Sequence, residues 1–244
     1  MYGSIRQLIL DTETTGLKPE DGHRIIEFAA LEMVNRKLTG RYLHLYINPE
    51  RSIDAGAARV HGITDEQVRD KPKFNEVVHQ IIEFIQDSEL IIHNAKFDMG
   101  FLNYQFNLER KSNPLISTVD FYIKNVIDTL SIARQKFPGS KNNLDALCDR
   151  FKISRAGRDY HGALIDCQLL SDVYLSLTRE QINLLGEDST ATLNKYKFDK
   201  INTSDLNLIT IRPSMQEEEQ HQLQLQELDK VSKGQSAWFN QAKN

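Results

Sequence analysis

The sequence predicts an α/β fold, a mixed five-stranded sheet flanked by helices, and three observations predict it. Three strand-like runs follow one another before Pro49. From Phe74 onward apolar residues recur at three- and four-residue steps, interrupted by short apolar runs, so helices alternate with strands. Beyond Leu177 the chain turns polar and offers too few apolar residues for a second core.

Residues 8–16, Leu-Ile-Leu-Asp-Thr-Glu-Thr-Thr-Gly, open the sheet. Ile9 and Leu10 favour strand and carry no polar relief, the pattern of a buried strand. Residues 17–23 contain Pro19, Asp21 and Gly22 and read as a loop. Residues 25–34 suit a second core strand, although their Ala and Leu content leaves helix open. Residues 35–40 read as a turn, residues 42–47 alternate as a third strand, and Pro49 ends it. With such short connections the three strands form an antiparallel meander.

Phe74, Val77, Val78, Ile81, Ile82 and Ile85 then make one apolar helix face. Leu90, Ile91 and Ile92 form a short buried strand that breaks at His93 and Asn94. Residues 97–108 read as helix, with Phe101, Leu102, Gln105 and Leu108 stepping along it. Val126 and Ile127 give the fifth strand, leading into a helix that ends before Pro138 and Gly139. Residues 143–151 and 161–177 supply two more helices.

At 244 residues and 40% hydrophobic content the chain suits one substantial domain with an appendage. We assign residues 1–180 to the domain, 181–186 to a short motif, 187–207 to a flexible linker and 208–244 to a C-terminal segment. In that last segment Ser214 and Glu217 have capping-box spacing for a helix, on which Leu225 and Leu228 form only a thin apolar stripe. Trp238, the single Trp, and Phe239 are suited to anchoring another protein. The formal net charge of -4 argues against gripping nucleic acid through bulk positive charge. Cys148 and Cys167 are too few for a disulfide framework and fit a reducing compartment. No signal-peptide pattern or membrane-length apolar run occurs, so a soluble, cytoplasmic protein is expected.

The chemistry concentrates where the first strand ends. Residues i and i+2 of a strand share a face, so Asp11 and Glu13 project side by side. Two buried like charges call for a cation between them, whereas an exposed strand end running into a polar turn would need none. On this stretch both readings stay open. Asp98 falls in the first turn of its helix, where the macrodipole favours an anion, and Asp166 follows His161 by five residues. Together the four carboxylates match the charge of two divalent metals, the arrangement that cleaves phosphodiesters. Oxygen ligands without a cysteine cluster favour Mg²⁺ or Mn²⁺. An imidazole, with a reference pKa of about 6.5, can take the proton of the attacking water, which gives His161 the role of base.

Three segments carry a family resemblance: Asp11-Thr12-Glu13-Thr14-Thr15-Gly16, His93-Asn94-Ala95-Lys96-Phe97-Asp98, and His161-Gly162-Ala163-Leu164-Ile165-Asp166. They resemble the three motifs of the DEDDh 3′→5′ exonucleases, over roughly the first 178 residues. The related tyrosine subclass places Tyr four residues before the last Asp, and here that position is Gly162, with Tyr160 out of step. Val60-His61-Gly62-Ile63 and Leu144-Asp145-Ala146-Leu147-Cys148 are further similar to the proofreading epsilon subunits of bacterial DNA polymerase III.

The resemblance implies a ribonuclease H-like fold and removal of mispaired 3′-terminal nucleotides from DNA as 5′-monophosphates. It implies that Asp11, Glu13, Asp98 and Asp166 hold the metals, that His161 is the general base, and that His61 joins Asp11, Glu13 and Asp166 at the terminal nucleotide. The family often has Glu where this chain has Gly56, which puts contacts to the substrate sugar in question. Gln181, Leu184 and Leu185 resemble a sliding-clamp-binding peptide, with a frayed helix end as the plainer reading. The C-terminal segment with Trp238 and Phe239 would bind the catalytic alpha subunit, and a small theta-like subunit is a further candidate partner. Tethering to a polymerase supplies effective concentration, which reconciles DNA cleavage with acidic charge. Two other readings are a DEDDh enzyme that trims RNA or short oligonucleotides, and a non-catalytic scaffold joining polymerase and clamp.

Overall fold

A computed structural model describes residues 6–156, 160–179 and 213–231 of the chain. The expected clamp motif at Gln181, Leu184 and Leu185, the linker at 187–207 and the pair Trp238 and Phe239 lie outside the described residues. The chain divides into two units, Met1–Ile182 and Asn183–Asn244.

The first unit is built on five strands: β1 (Arg6–Thr14), β2 (Ile25–Val34), β3 (Lys37–Tyr46), β4 (Glu89–Ile92) and β5 (Asn125–Asp128). Their order is β3-β2-β1-β4-β5. The β1/β2 and β2/β3 pairs are antiparallel, whereas β1/β4 and β4/β5 are parallel, so the sheet is mixed. The helices are α1 (Ala55–His61), α2 (Asp65–Arg69), α3 (Phe74–Ile85), α4 (Ala95–Ser112), α5 (Val119–Tyr122), α6 (Thr129–Lys136), α7 (Leu144–Phe151) and α8 (Ala163–Leu177).

Side-chain alternation along β1 decides what meets what. Leu8 and Leu10 face one way and join Phe28, Val78, Ile81, Phe101 and Leu102 in a core roofed by α3 and α4. Ile9 faces the other way, packing with Ala29, Leu31, Met33 and Ile91 against Ala163, Cys167 and Leu170 of α8. Burying both faces explains why β1 and β2 read as continuous apolar runs.

Several boundaries differ from expectation. Residues 25–34, where helix stood open, are strand, because β-sheet neighbours on both sides satisfy the backbone. The expected six-residue turn at 35–40 shrinks to Asn35 and Arg36, both at positive φ (50° and 63°), and β3 starts at Lys37. Positive φ at both central positions matches the twist of a two-residue hairpin. Arg36 also donates to Thr178 Oγ1 (2.8 Å) and to the Leu175 carbonyl (3.1 Å), fastening the hairpin tip to the end of α8. The helices α1, α2 and α5 were not anticipated: they are four to seven residues long, too short for a periodic stripe. The helix expected from residue 161 starts at Ala163, and the one expected from 97 spans Ala95–Ser112.

Within the second unit, the described residues form α9 (Met215–Val231). The expected capping box is present: Ser214 N donates to Glu217 Oε2 (2.8 Å), and Glu217 N donates to Ser214 Oγ (3.3 Å). Among the described residues no helix is long and apolar enough to cross a membrane.

Candidate active site

The parity of β1 carries into its acidic end. Asp11 and Glu13 share the face of Ile9 and so point toward α8, while Thr12 between them points toward α4. From α4 comes Asp98, nearly fully buried, whose Oδ1 accepts from Thr12 N (3.0 Å) and from Thr12 Oγ1 (2.7 Å). From the other side comes Asp166, buried in the first turn of α8. A register shift between Glu13 and Thr14 marks a bulge where the strand leaves the sheet, a place where bulges commonly re-aim side chains.

His161 lies outside the helix expected to carry it. It precedes Gly162, the N-cap of α8, and its backbone N–H donates to the Val60 carbonyl (3.1 Å). The ring Nδ1 then stands 3.1 Å from Asp166 Oδ2. The pair meets because the chain folds back over the first helical turn. Glu13, His161 and Asp166 offer ligand atoms that all lie within 4.8 Å of one another.

The carboxylates are crowded. Burial pushes Asp11 well above the ordinary carboxylate range, and the charges of Asp98, Glu13, Asp166 and Glu27 push the same way. Burial likewise pushes Asp98 up to about 7, against the opposing pull of the Thr12 hydrogen bonds. A set of oxygen donors that resists ionisation by itself fits divalent cations, which restore the charged form by supplying the missing positive charge.

Glu27, to which sequence reasoning assigns no role, belongs here. It sits opposite Glu13 in the β1/β2 register and is 2% exposed. Its Oε2 accepts from Ala163 N (3.1 Å), the first residue of α8, and its Oε1 lies 2.7 Å from His44 Nε2. The available signal was an acid inside the apolar run 25–34, which carries Glu27 and Glu32, where an unpartnered charge would be costly.

A cleft of about 630 Å³ opens over this cluster. Asp11, His161 and Asp166 line it on one side; Leu130 and Arg134 of α6 and the loop from Gly139 to Asn143 line it on the other. His61 does not line that cleft. It is buried at the end of α1, its Nδ1 accepts from Ile63 N (3.0 Å), and it borders a separate recess with Tyr46, Gln67 and Lys71. Burial lowers its pKa, against the opposing pull of a backbone hydrogen bond with Thr14 and the charge of Glu27. Gly56, in the first turn of α1, has open space where a side chain would begin, with Arg59 Nη2 3.9 Å away.

Comparison with known proteins now gives the family. A family model described as Exonuclease matches residues 8–174. The DNA polymerase III subunit epsilon of Rickettsia felis is 48% identical over 220 residues, covering 89% of this chain and 94% of the relative. The chain belongs to the epsilon-subunit family of DNA polymerase III. Its counterpart from Pasteurella multocida is 45% identical over 240 residues, covering 96% of this chain and 93% of the relative. Among solved structures, exonuclease X bound to 5′-overhanging duplex DNA is 26% identical, with a TM-score of 0.53, covering 70% of this chain and 90% of that one. The nuclease domain of 3′hExo, a DEDDh family member bound to rAMP, has a TM-score of 0.61 at 22% identity over 72% of this chain and 92% of that one, a likeness of fold. This epsilon-family member is thus a proofreading exonuclease with a ribonuclease H-like domain, and its activity depends on divalent metal.

Proposed function

We propose that this epsilon-family chain removes mispaired nucleotides from DNA 3′ ends by water attack on the terminal phosphodiester, with His161 as general base. The observation that carries this reading is the meeting of Glu13, His161 and Asp166, whose ligand atoms lie within 4.8 Å of one another. Asp11, Glu13, Asp98 and Asp166 would hold two divalent ions, Mg²⁺ or Mn²⁺ by their hard oxygen donors. Bound there, such ions supply positive charge that activates water and stabilises the leaving oxygen.

The chain's own residues do the rest. With Asp166 Oδ2 3.1 Å from Nδ1, the imidazole proton belongs on Nδ1, and Nε2 is the atom that accepts the water's proton. Glu27 holds the start of α8, and so the segment bearing His161, through Ala163 N. Thr12 holds Asp98 in one orientation through two donors. His61, with its buried ring beside the chain leading to His161, would meet the terminal nucleotide. Because a mispaired end unpairs at lower cost, selectivity follows from fraying and needs no base readout.

Association follows the same family logic. Residues 208–244, with Trp238 and Phe239, would bind the polymerase catalytic alpha subunit; Gln181, Leu184 and Leu185 would bind the sliding clamp; a small theta-like subunit would sit on the nuclease domain. The assembly places the chain in the cytoplasm with the replicating DNA.

The decisive experiment is digestion of a mismatched primer with and without divalent metal, beside His161→Ala and a single-stranded RNA control. Loss of cleavage on chelation and a drop of about 10²-fold or more in the variant are expected. A variant as fast as wild type would remove His161 as base. Deleting residues 208–244 should leave cleavage intact and abolish co-purification with the catalytic subunit.

A further inference from the structure

The cleft that contains the acidic cluster has a second wall with different chemistry. It is formed by α6, which leaves the sheet directly after β5, and by the loop from Gly139 to Asn143. Leu130 and Arg134 are four residues apart on α6, hence on one helix face, and both line the cleft. Arg134 is the only Arg or Lys among the described residues that line the cleft.

Its surroundings leave it available. Arg134 has no hydrogen bond or ion pair with any described residue, although its charge reaches His93, whose pKa is lowered first by burial and also by Arg134. Neighbouring polar groups are engaged elsewhere. Asp128 accepts from Asn94 N (3.1 Å), Leu130 N (3.0 Å) and Ser131 Oγ (3.1 Å). Arg150 stacks over Phe137 at 4.2 Å and donates to Asn142 Oδ1 (3.1 Å), holding the loop in shape. Without a hydrogen-bond or ion-pair partner among the described residues, a guanidinium in a cleft floored by carboxylates suits an external anion; a bidentate phosphate is the ligand its fork fits.

Position selects which phosphate. β1, β4 and β5 run parallel, so Asp11 and the start of α6 lie at the same end of the sheet, two strands apart. That separation is about 10 Å at the usual strand spacing. The bond being cut must lie at the acidic cluster, and a 3′-terminal nucleotide has no phosphate beyond it. Every other phosphate of the strand therefore lies on the 5′ side. We infer that Arg134 binds the phosphodiester immediately 5′ of the scissile one, holding the substrate strand against the second wall while the terminal bond lies over the carboxylates.

This positioning role rests on the exonuclease reading above, and the test separates the two. Arg134→Gln should keep the wild-type melting midpoint, since it removes no hydrogen bond or ion pair between described residues. On single-stranded DNA its KM should rise about tenfold with kcat little changed. On p-nitrophenyl thymidine 5′-monophosphate, which has no upstream phosphate, variant and wild type should be equal. The slope of log affinity against log salt for the oligonucleotide, measured with metal chelated, should fall by about 0.7, the contribution of one single-strand phosphate contact. A neutral methylphosphonate at that linkage should weaken wild type to the level of the variant and cost the variant nothing further. Equal KM values on DNA, an equal loss on the chromogenic ester, or multiplying effects of variant and methylphosphonate would each overturn the inference. A wild-type protein without activity on either substrate would instead remove the exonuclease mechanism itself.

Discussion

Thr12 directs both its backbone N–H and its hydroxyl at one oxygen of Asp98, at 3.0 and 2.7 Å. These bonds favour the ionised carboxylate, against the burial that pushes it up. Thr12→Val keeps the shape and removes the hydroxyl, so Asp98 should rise further and the acid limb of the pH–rate profile should move to higher pH. Affinity for Mg²⁺ should fall about tenfold, the equivalent of one charge-assisted bond of about 1.5 kcal/mol. A titration of Mg²⁺ against activity at several pH values measures both.

The same acid makes a prediction about stability. A carboxyl raised from 3.8 to about 7 binds more protons folded than unfolded. The metal-free protein should therefore lose stability from this group as pH climbs between those values, with the full penalty present above about pH 7 and none below about pH 4. Divalent metal should raise the melting midpoint more at about pH 8 than at about pH 5. Thermal melts with Mg²⁺ and with chelator at the two pH values test this.

His44 lies 2.7 Å from the buried Glu27. His44→Ala leaves that carboxylate with Tyr46 as its remaining side-chain partner and should destabilise the domain by about 1–3 kcal/mol. Adding Glu27→Gln removes the stranded charge while keeping an oxygen for Ala163 N, and should recover more than half of the loss. Urea unfolding of both variants measures it.

Gly62 holds φ at +71°, and a methyl group there would stand 2.9 Å from Cγ of Tyr160. Gly62→Ala should cost about 1–3 kcal/mol. Because Tyr160 adjoins His161, kcat should fall as well. Adding Tyr160→Ala should restore activity more than stability, since the backbone strain remains; unfolding and turnover measured together distinguish the two parts.

Gly56 presents the opposite case, with nothing near its missing side chain but Arg59 Nη2 at 3.9 Å. Gly56→Ala should stabilise α1 by about 0.5 kcal/mol. Gly56→Glu, which installs the residue the wider family often has, should fold normally, and comparison of KM on DNA against wild type reads whether that acid reaches the substrate.

The legible parts of this protein were those with a period. Five strands, the α3 stripe of Phe74, Val77, Val78, Ile81 and Ile85, and the capping box at Ser214 all follow from local pattern, because a core face or a cap leaves a repeating or fixed-offset signal. Asp11 and Glu13 were readable as a pair through alternation, but the same alternation also sends Thr12 to Asp98, and that partner depends on α4 crossing the opposite face. Glu27 was missed because its meaning lies in its register with Glu13 and in the entry of α8, 136 residues away in the chain. The placement of His161 off the helix was missed for a related reason: Gly162 adopts extended backbone and serves as the N-cap, and spacing alone does not separate a first turn from the residue before it. The recess of His61 depends on packing between α1, α2 and β3, where short helices leave little pattern.

The bond from Ala163 N to Glu27 also sets a timetable. During synthesis β1, β2 and β4 emerge early, and Thr12 can find Asp98 once α4 has left the ribosome. Asp166 and His161 arrive only with α8, after every strand of the sheet has been made. A nascent or prematurely ended chain that stops at α7 therefore carries Asp11, Glu13 and Asp98 but neither His161 nor Asp166 and no closing helix. On the proposed mechanism, translation order itself withholds the activity until α8 has been made.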